Sequence, residues 1–374
     1  MNEPISYHEG EFPPKTLEWE RLIPLIGPAN AAVARYDGIL SAIQNASVLL
    51  SPLTTQEAVL SSRIEGTQAT MGEVLEFEAR GNLEELSPER NADIREVLNY
   101  RRAMKKAVGM LTDLPLCQRV IKEAHRVLLH GVRGQYRDPG EYRRIPNWIG
   151  PPGCTIENAR FIPISSEKLP EAMNEWEKYI HTIETPDKLI QLSILHAEIE
   201  ALHPFLDGNG RIGRMFVPLF MYSQKLINSP MFYISAYLEA KRDEYYERLL
   251  AVSRDGDWTG WCLFFLNGIK SQAEENQRKA TGILSLYNEM KNRIVYLTHS
   301  QYAILALDWI FEHPIFKGSD FVKTSKIPKP TATRILNSLK KAKILEIWAE
   351  KRGRIASILA YSDLLNLAEG HNTF

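Results

Sequence analysis

The 374-residue sequence predicts a mainly α-helical protein with one short β excursion and a small winged-helix domain at its C-terminal end. Three observations carry that expectation. Apolar residues recur at three- and four-residue spacing through most of the chain. A single turn-rich stretch between Gly140 and Pro163 interrupts that rhythm. Beyond about Arg293, a helix, a short helix, a turn and a longer helix precede two short apolar runs, the order of a winged helix.

Taken in order, the helical pattern runs over 31–44, 56–64 and 91–111, where Ile94, Val97, Leu98, Met104 and Val108 share a face. These segments form an N-terminal helical region, 1–112. Helices predicted at 115–130, 170–182, 187–202, 211–224, 241–250 and 258–290 make a core, 113–292. Within it, 142–145 and 159–163 flank the turn signal Gly150-Pro-Pro-Gly153 and read as a hairpin over 140–163 with 147–150 at its tip. A third domain, 293–374, carries helices at 301–311, 319–325 and 328–341, then strands at 345–348 and 355–360 around the basic turn Lys351-Arg-Gly-Arg354.

Composition narrows the function classes. With 44% hydrophobic and 24% charged residues, the chain is of the globular kind. Its 45 basic and 46 acidic side chains leave a net charge of −1, which gives no global drive toward nucleic acid or anionic membrane. Cys117, Cys154 and Cys262 form neither a disulfide framework nor a C-x-x-C pair and fit a reducing compartment. No run approaches the roughly 20 apolar residues that span a bilayer. The first residues, with Glu3, His8, Glu9 and Glu11, do not read as a signal peptide. A cytoplasmic protein without a membrane partner is expected.

The chemistry is concentrated in His203-Pro-Phe-Leu-Asp-Gly-Asn-Gly-Arg-Ile-Gly-Arg214, which ends one predicted helix and opens the next. Gly208 and Gly210 allow a tight turn and close approach of a ligand. The free N–H groups at the new helix start, with its dipole, suit phosphate. Arg211 and Arg214, three apart, place two guanidinium groups on one face. Asp207 offers a hard oxygen for Mg²⁺, and His203 has the chemistry of a general base.

This segment resembles the signature of the Fic family, H-P-F-x-[D/E]-G-N-G-R-x-x-R, at every specified position. The resemblance implies a Fic-type helical core that transfers AMP from ATP, with Mg²⁺, to a hydroxyl of a Ser, Thr or Tyr side chain on a target protein or on itself. It makes His203 the base and Asp207 the metal ligand. Gly208, Asn209 and Gly210 become the phosphate nest, Arg211 the partner of the departing pyrophosphate, Arg214 the holder of the γ-phosphate, and Phe205 an inward anchor of the loop. It also makes the 140–163 hairpin the flap that positions the modified side chain, with Ile149 and Gly150 over the nucleotide. The segment Lys241-Arg-Asp-Glu-Tyr245-Tyr246 resembles the family's adenine-pocket lining, with Tyr245 the candidate.

Upstream, Ser61, Glu65 and Gly66 are similar to the family's inhibitory pattern [S/T]-x-x-x-E-[G/N], with Gly66 as a helix C-cap. An inhibitory helix over about 53–66 would bring the Glu65 carboxylate to Arg214 in place of the γ-phosphate. This expectation is of an autoinhibited adenylyltransferase, and a self-assembling oligomer is expected with it. Two alternatives stand beside it: a Fic enzyme acting mainly in removal of AMP, and a nucleotide-sensing DNA-binding regulator. The latter rests on the seven basic and no acidic residues from Lys323 to Lys343, with Thr331, Thr333, Arg334 and Asn337 facing a groove. DNA contact through 319–354 and protein contact through the same module are equally compatible with the sequence.

Overall fold

The computed structural model describes residues 3–81, 87–151, 153–183, 185–349 and 357–370. A two-residue strand, β1 (Ile5–Ser6), leads into α1 (Trp19–Ala42), α2 (Ala46–Leu49), α3 (Ser51–Ile64), α4 (Met71–Arg80) and α5 (Pro88–Met110). Then come α6 (Gln118–Leu128), β2 (Phe161–Ile162), α7 (Leu169–Ile180), α8 (Lys188–Leu202) and α9 (Asn209–Ser223). Helices α10 (Ser235–Ala240), α11 (Arg242–Asp255) and α12 (Trp258–Thr298) follow. The chain ends in α13 (Ala303–Glu312), β3 (Ile315–Lys317), α14 (Gly318–Thr324), α15 (Lys329–Lys341), β4 (Glu346–Ala349), β5 (Ile358–Ala360) and α16 (Ser362–Glu369).

Contacts divide these elements into two compact units. One comprises 1–37, 60–66 and 99–274, the other 38–59, 67–98 and 275–374. The partition cuts across the three consecutive domains read from the sequence, and helices α1, α3, α5 and α12 each contribute residues to both units.

The first unit is built around α8. Asp187 caps its start by accepting from the backbone N–H groups of Leu189 and Ile190 at 2.9 and 3.0 Å. Thereafter nearly every residue is buried, so the helix is covered on all sides, as its apolar composition requires. Helices α7, α9 and α11 pack on it and α6 on α9. Trp176 and Trp261 bury their rings against α8 and donate their indole N–H groups to its Leu195 and Ser193 carbonyls at 2.9 and 2.7 Å, so that no polar atom of either ring is stranded.

The expected hairpin over 140–163 is reduced in the structure. Residues 142–145 are not a strand, and the antiparallel pairing is the single bridge between Ile149 and Phe161. The turn therefore lies beyond residue 149 and includes a short 3-10 turn at Ile156–Asn158, while 147–149 form its first arm and not its tip. β2 has its main partner on the other side, where β1 pairs with it in parallel, Ile5 to Phe161 and Ser6 to Ile162. The segment carrying β1 is fastened to α8: Tyr7 donates to Glu198 at 2.6 Å, and His8 lies 2.9 Å from the same carboxylate and 2.6 Å from Ser253 Oγ.

In the second unit, α13, α14 and α15 stand where the sequence places three helices, and β4 and β5 where it places two strands. A third strand, β3, joins them in the order β3-β5-β4, all antiparallel. The basic turn Lys351–Arg354 lies outside the described residues. Helix α4, absent from the sequence reading, packs on β3 and opens with a capping box in which Thr70 and Glu73 exchange side-chain and backbone bonds. The first half of α3 is held by Lys279, which donates to Gln56 Oε1 at 2.8 Å and to Ala368 O at 2.6 Å. Among the described residues no helix is long and apolar enough to cross a membrane.

Candidate active site

The loop between α8 and α9 takes its shape from a few committed side chains. His203 ends α8 in a left-handed conformation (φ 47°), and Gly208 (φ 78°) turns the chain into α9. Asn209 spends its side chain on the loop itself: Oδ1 accepts from Phe205 N and Nδ2 donates to Phe205 O, both at 2.8 Å. Phe205 is fully buried and stacks on His125 with centroids 3.7 Å apart. His125 Nδ1 accepts from the Gly140 N–H at 2.8 Å, which leaves its Nε2 as the donor to Asp207 O at 2.9 Å. Burial first, with Arg211 and Arg126 adding to it, pushes the His125 pKa down to about 4, so the ring is a neutral prop.

His203 Nδ1 lies 3.3 Å from Glu200 O, an acceptor only, so Nδ1 carries the proton and Nε2 is free to accept one. Burial pushes the His203 pKa down to about 4, although the Glu200 carbonyl, Glu65 and Asp207 act in the opposite sense. The imidazole is in its base form at neutral pH.

Arg214 is fully buried and triply held. Its Nε donates to Ser61 Oγ at 2.9 Å, and its Nη2 to Ser61 O at 2.9 Å and to Glu65 Oε1 at 2.6 Å. Glu65 follows the last turn of α3, and Gly66 (φ 99°) carries the chain away from it. Burial opposes ionisation of Glu65, but the charge and hydrogen bond of Arg214, with Arg211 and His203, hold its pKa below the usual carboxylate value. Gly210 makes room for this pair, since a Cβ there would collide with Glu65 Oε1.

A cavity of about 420 Å³ is lined by Glu65, Ile149, Gly150, His203, Gly210, Arg214 and Tyr245, together with Tyr246, Arg242 and Leu249. Seven residues singled out from the sequence thus converge on one space. Ser61 stands behind Arg214, bonded to it. Gly208 is buried against Leu128, Leu129 and His125. Asp207 is partly exposed, with Oδ1 at 3.4 Å from Arg211 Nη2. Among the described residues no group of three or more His, Cys, Asp or Glu side chains is gathered for a metal. The donor set nevertheless suits Mg²⁺, which commonly takes one or two carboxylates and completes its shell with water and substrate phosphate oxygens.

Sequence reasoning missed several contributors. Arg143 and Asn147 bond to the backbone of 202–205. Glu200, three residues before His203, lies beside Arg214 with about a tenth of its side chain exposed; desolvation raises its pKa to about 7 against the pull of Arg214 and the Tyr245 hydroxyl at 3.4 Å. Its position in the turn of α8 just before His203 was the available signal. Gly213 accommodates it, because a Cβ there would strike the carboxylate. Tyr245 is tied down by His196 Nε2 at 3.0 Å.

Known proteins resemble this chain in sequence and in fold. A curated protein of Aquifex aeolicus (strain VF5), named a probable protein adenylyltransferase, is 26% identical over 99 residues, which are 26% of this chain and 31% of that protein. The match thus spans about a third of the relative's length. The crystal structure of a Fic family protein from Desulfovibrio desulfuricans G20 superposes with a TM-score of 0.59 at 18% identity, over 93% of this chain and 98% of that one. A Fic domain containing signaling protein from Bacteroides thetaiotaomicron VPI-5482 gives 0.56 at 18% identity, over 69% of this chain and 97% of its own. Both likenesses concern the fold. Residues 23–109, which contain Ser61 and Glu65, match the Fic/DOC family N-terminal model, and residues 115–221, which contain the whole loop from His203 to Arg214, match the Fic/DOC family model. With both family segments present in tandem over just over half of its length, the chain belongs to the Fic/DOC family.

Proposed function

We propose that the chain is a protein adenylyltransferase restrained by its own Glu65. The 2.6 Å Glu65–Arg214 pair, inside the cavity that also holds the His203 base, is the observation that carries this reading. In the reaction, a target hydroxyl attacks the α-phosphorus of ATP. The new O–P bond forms as the bond to the bridging oxygen of pyrophosphate breaks, and His203 Nε2 takes the hydroxyl proton. Arg214, Arg211 and the N–H groups at the start of α9 receive the phosphates, and the nucleoside lies toward Tyr245 and Tyr246. Mg²⁺ held by Asp207 would neutralise phosphate charge. With Glu65 on Arg214, the γ-phosphate lacks its cation and ATP binds unproductively or not at all.

Mass spectrometry of the Glu65→Gly protein after incubation with ATP and Mg²⁺ tests the reading. A gain of AMP units is expected, and a gain of phosphate, or no gain, overturns it.

A second reading concerns the C-terminal module, proposed as a winged helix that contacts DNA. Lys323, Lys326, Lys329, Lys340, Lys341 and Lys343 are all exposed, as are Thr333 and Asn337 on α15. Arg334 is partly engaged, donating to Thr298 O at 2.6 Å. Retention of duplex DNA at about 50 mM salt that falls steeply with added salt is expected. Absence of binding at that salt favours protein contact.

A further inference from the structure

The turn-rich segment and the catalytic loop meet on one guanidinium group. Arg143 is 2% exposed. Its Nε donates to His203 O at 3.0 Å, and its Nη2 to Leu202 O at 3.3 Å and to Ile164 O. Its Nη1 donates to Ile145 O at 3.5 Å, and its backbone N–H to Pro204 O at 2.9 Å. Asn147 Nδ2 adds donations to His203 O at 3.4 Å and Phe205 O at 3.2 Å. Leu202 and His203 are the last residue of α8 and its cap, so their carbonyls have no partner within the helix and lie at the negative end of its dipole. Ile145 and Ile164 belong to the chain entering and leaving the turn that Ile149 and Phe161 close. A planar fork with five donors is suited to holding carbonyls from both places at once, and a lysine is not. Burial draws the Arg143 pKa down to about 10, which leaves it charged at neutral pH.

We propose that Arg143, with Asn147, is a positioning residue for group transfer: it fixes the left-handed bend that presents His203 and holds both roots of the segment carrying Ile149 in register with it. The inference rests on the adenylyltransferase reading and adds a residue that the motif does not contain. Its hydrogen bonds go to 145, 164 and 202–204, whereas the phosphate-facing groups sit on α9. Loss of the clamp therefore displaces the base from the reacting hydroxyl and loosens Ile149 and Gly150 over the nucleotide, but leaves the phosphate-binding groups of α9 in place, so kcat falls far more than ATP affinity. An arginine that merely supported the fold would affect both together.

The test uses the full chain with Glu65→Gly as parent, and adds Arg143→Gln, Arg143→Lys or Asn147→Ala. Incorporation of AMP at saturating ATP, equilibrium ATP affinity and the thermal midpoint are measured for each. Because misplacement of a catalytic group by about an ångström costs on the order of 100-fold, Arg143→Gln is expected to lower kcat about 100-fold and Asn147→Ala about 10-fold, with ATP affinity within about threefold of the parent. Arg143→Lys, which keeps the cation but gathers its donors on a single nitrogen in place of the planar fork, is expected to recover about tenfold of the loss. A folded Arg143→Gln or Asn147→Ala variant with kcat within about threefold of the parent, or with ATP affinity falling in step with kcat, overturns the proposal. If Arg143→Gln does not fold, Asn147→Ala decides. A parent that transfers no AMP overturns the underlying reading and this inference with it, and that failure is visible before Arg143 is changed.

Discussion

Glu65 and Arg214 lie 149 positions apart in the chain and 2.6 Å apart in space, with the carboxylate seated where Gly210 has no Cβ. The pair is one arm of a three-bond hold, the other two coming from Ser61. The arginine is thus oriented by the same helix end that neutralises it, and removing the carboxylate leaves Arg214 charged, buried and still anchored.

Glu65→Gly is therefore expected to raise AMP incorporation. A charge-assisted hydrogen bond is worth about 1.5–3 kcal/mol, which corresponds to roughly 10- to 100-fold in rate. Ser61→Ala, which leaves the Ser61 carbonyl in place, is expected to change it by less than about fivefold. Incorporation of α-labelled ATP reads both, and an unchanged rate in Glu65→Gly would falsify the restraint.

His203→Ala in the same background is expected to abolish transfer and retain nucleotide binding. With the His203 pKa pushed down to about 4, the base form predominates at every pH above it, so the rate should be flat from about pH 6 to 8 and fall only as pH approaches 4. Removing Glu65 takes away one of the groups that raise this pKa, so the limb moves no higher in the variant. An acid limb at the ordinary imidazole value near 6.5 would contradict the assignment.

Glu200 makes a stability test. Its pKa rises on folding from 4.5 to about 7, so between those values the native state binds more protons than the unfolded state. Stability from this group is full below about 4.5 and is lost as pH rises through about 7, an effect on the order of 3 kcal/mol. Glu200→Gln is expected to flatten the decline in thermal midpoint between pH 5 and 8. An identical decline in wild type and variant would count against it.

His125→Phe keeps a ring under Phe205 but deletes the bonds to Gly140 N and Asp207 O. A buried donor left unpaired, here the Gly140 N–H, costs about 1–3 kcal/mol, so the thermal midpoint should fall and, with the loop loosened, kcat should fall more than ATP affinity. A variant as stable and as active as wild type would show that the stack alone holds the loop.

How much of this was legible from the sequence depends on how local each feature is. The loop from His203 to Arg214 was readable because its glycines, arginines and histidine fall within twelve residues of one another in the chain, and Ser61 with Glu65 because they share one helix end. Arg143, His125 and Glu200 were not, since each acts through backbone or side-chain partners that only the packed helices supply. Helix α1 begins at Trp19, twelve residues before the apolar spacing predicts a helix at 31, because Pro24 and Pro28 lie inside it and proline ordinarily marks an end. The Thr70-x-x-Glu73 capping box that opens α4 was a local signal, but the apolar pattern behind it is short. The reduced hairpin has a nonlocal cause: β2 takes its parallel partner from residues 5–6, and no turn chemistry near 160 encodes that.

That small parallel sheet bears on where the protein can be cut. A fragment begun at residue 23, where the family match begins, would discard Ile5–Ser6 and with them Tyr7 and His8. The Glu198 carboxylate, buried one turn before the end of α8, would lose both partners, and β2 its parallel partner, so domain boundaries drawn from sequence similarity alone would destabilise the unit that carries the candidate site.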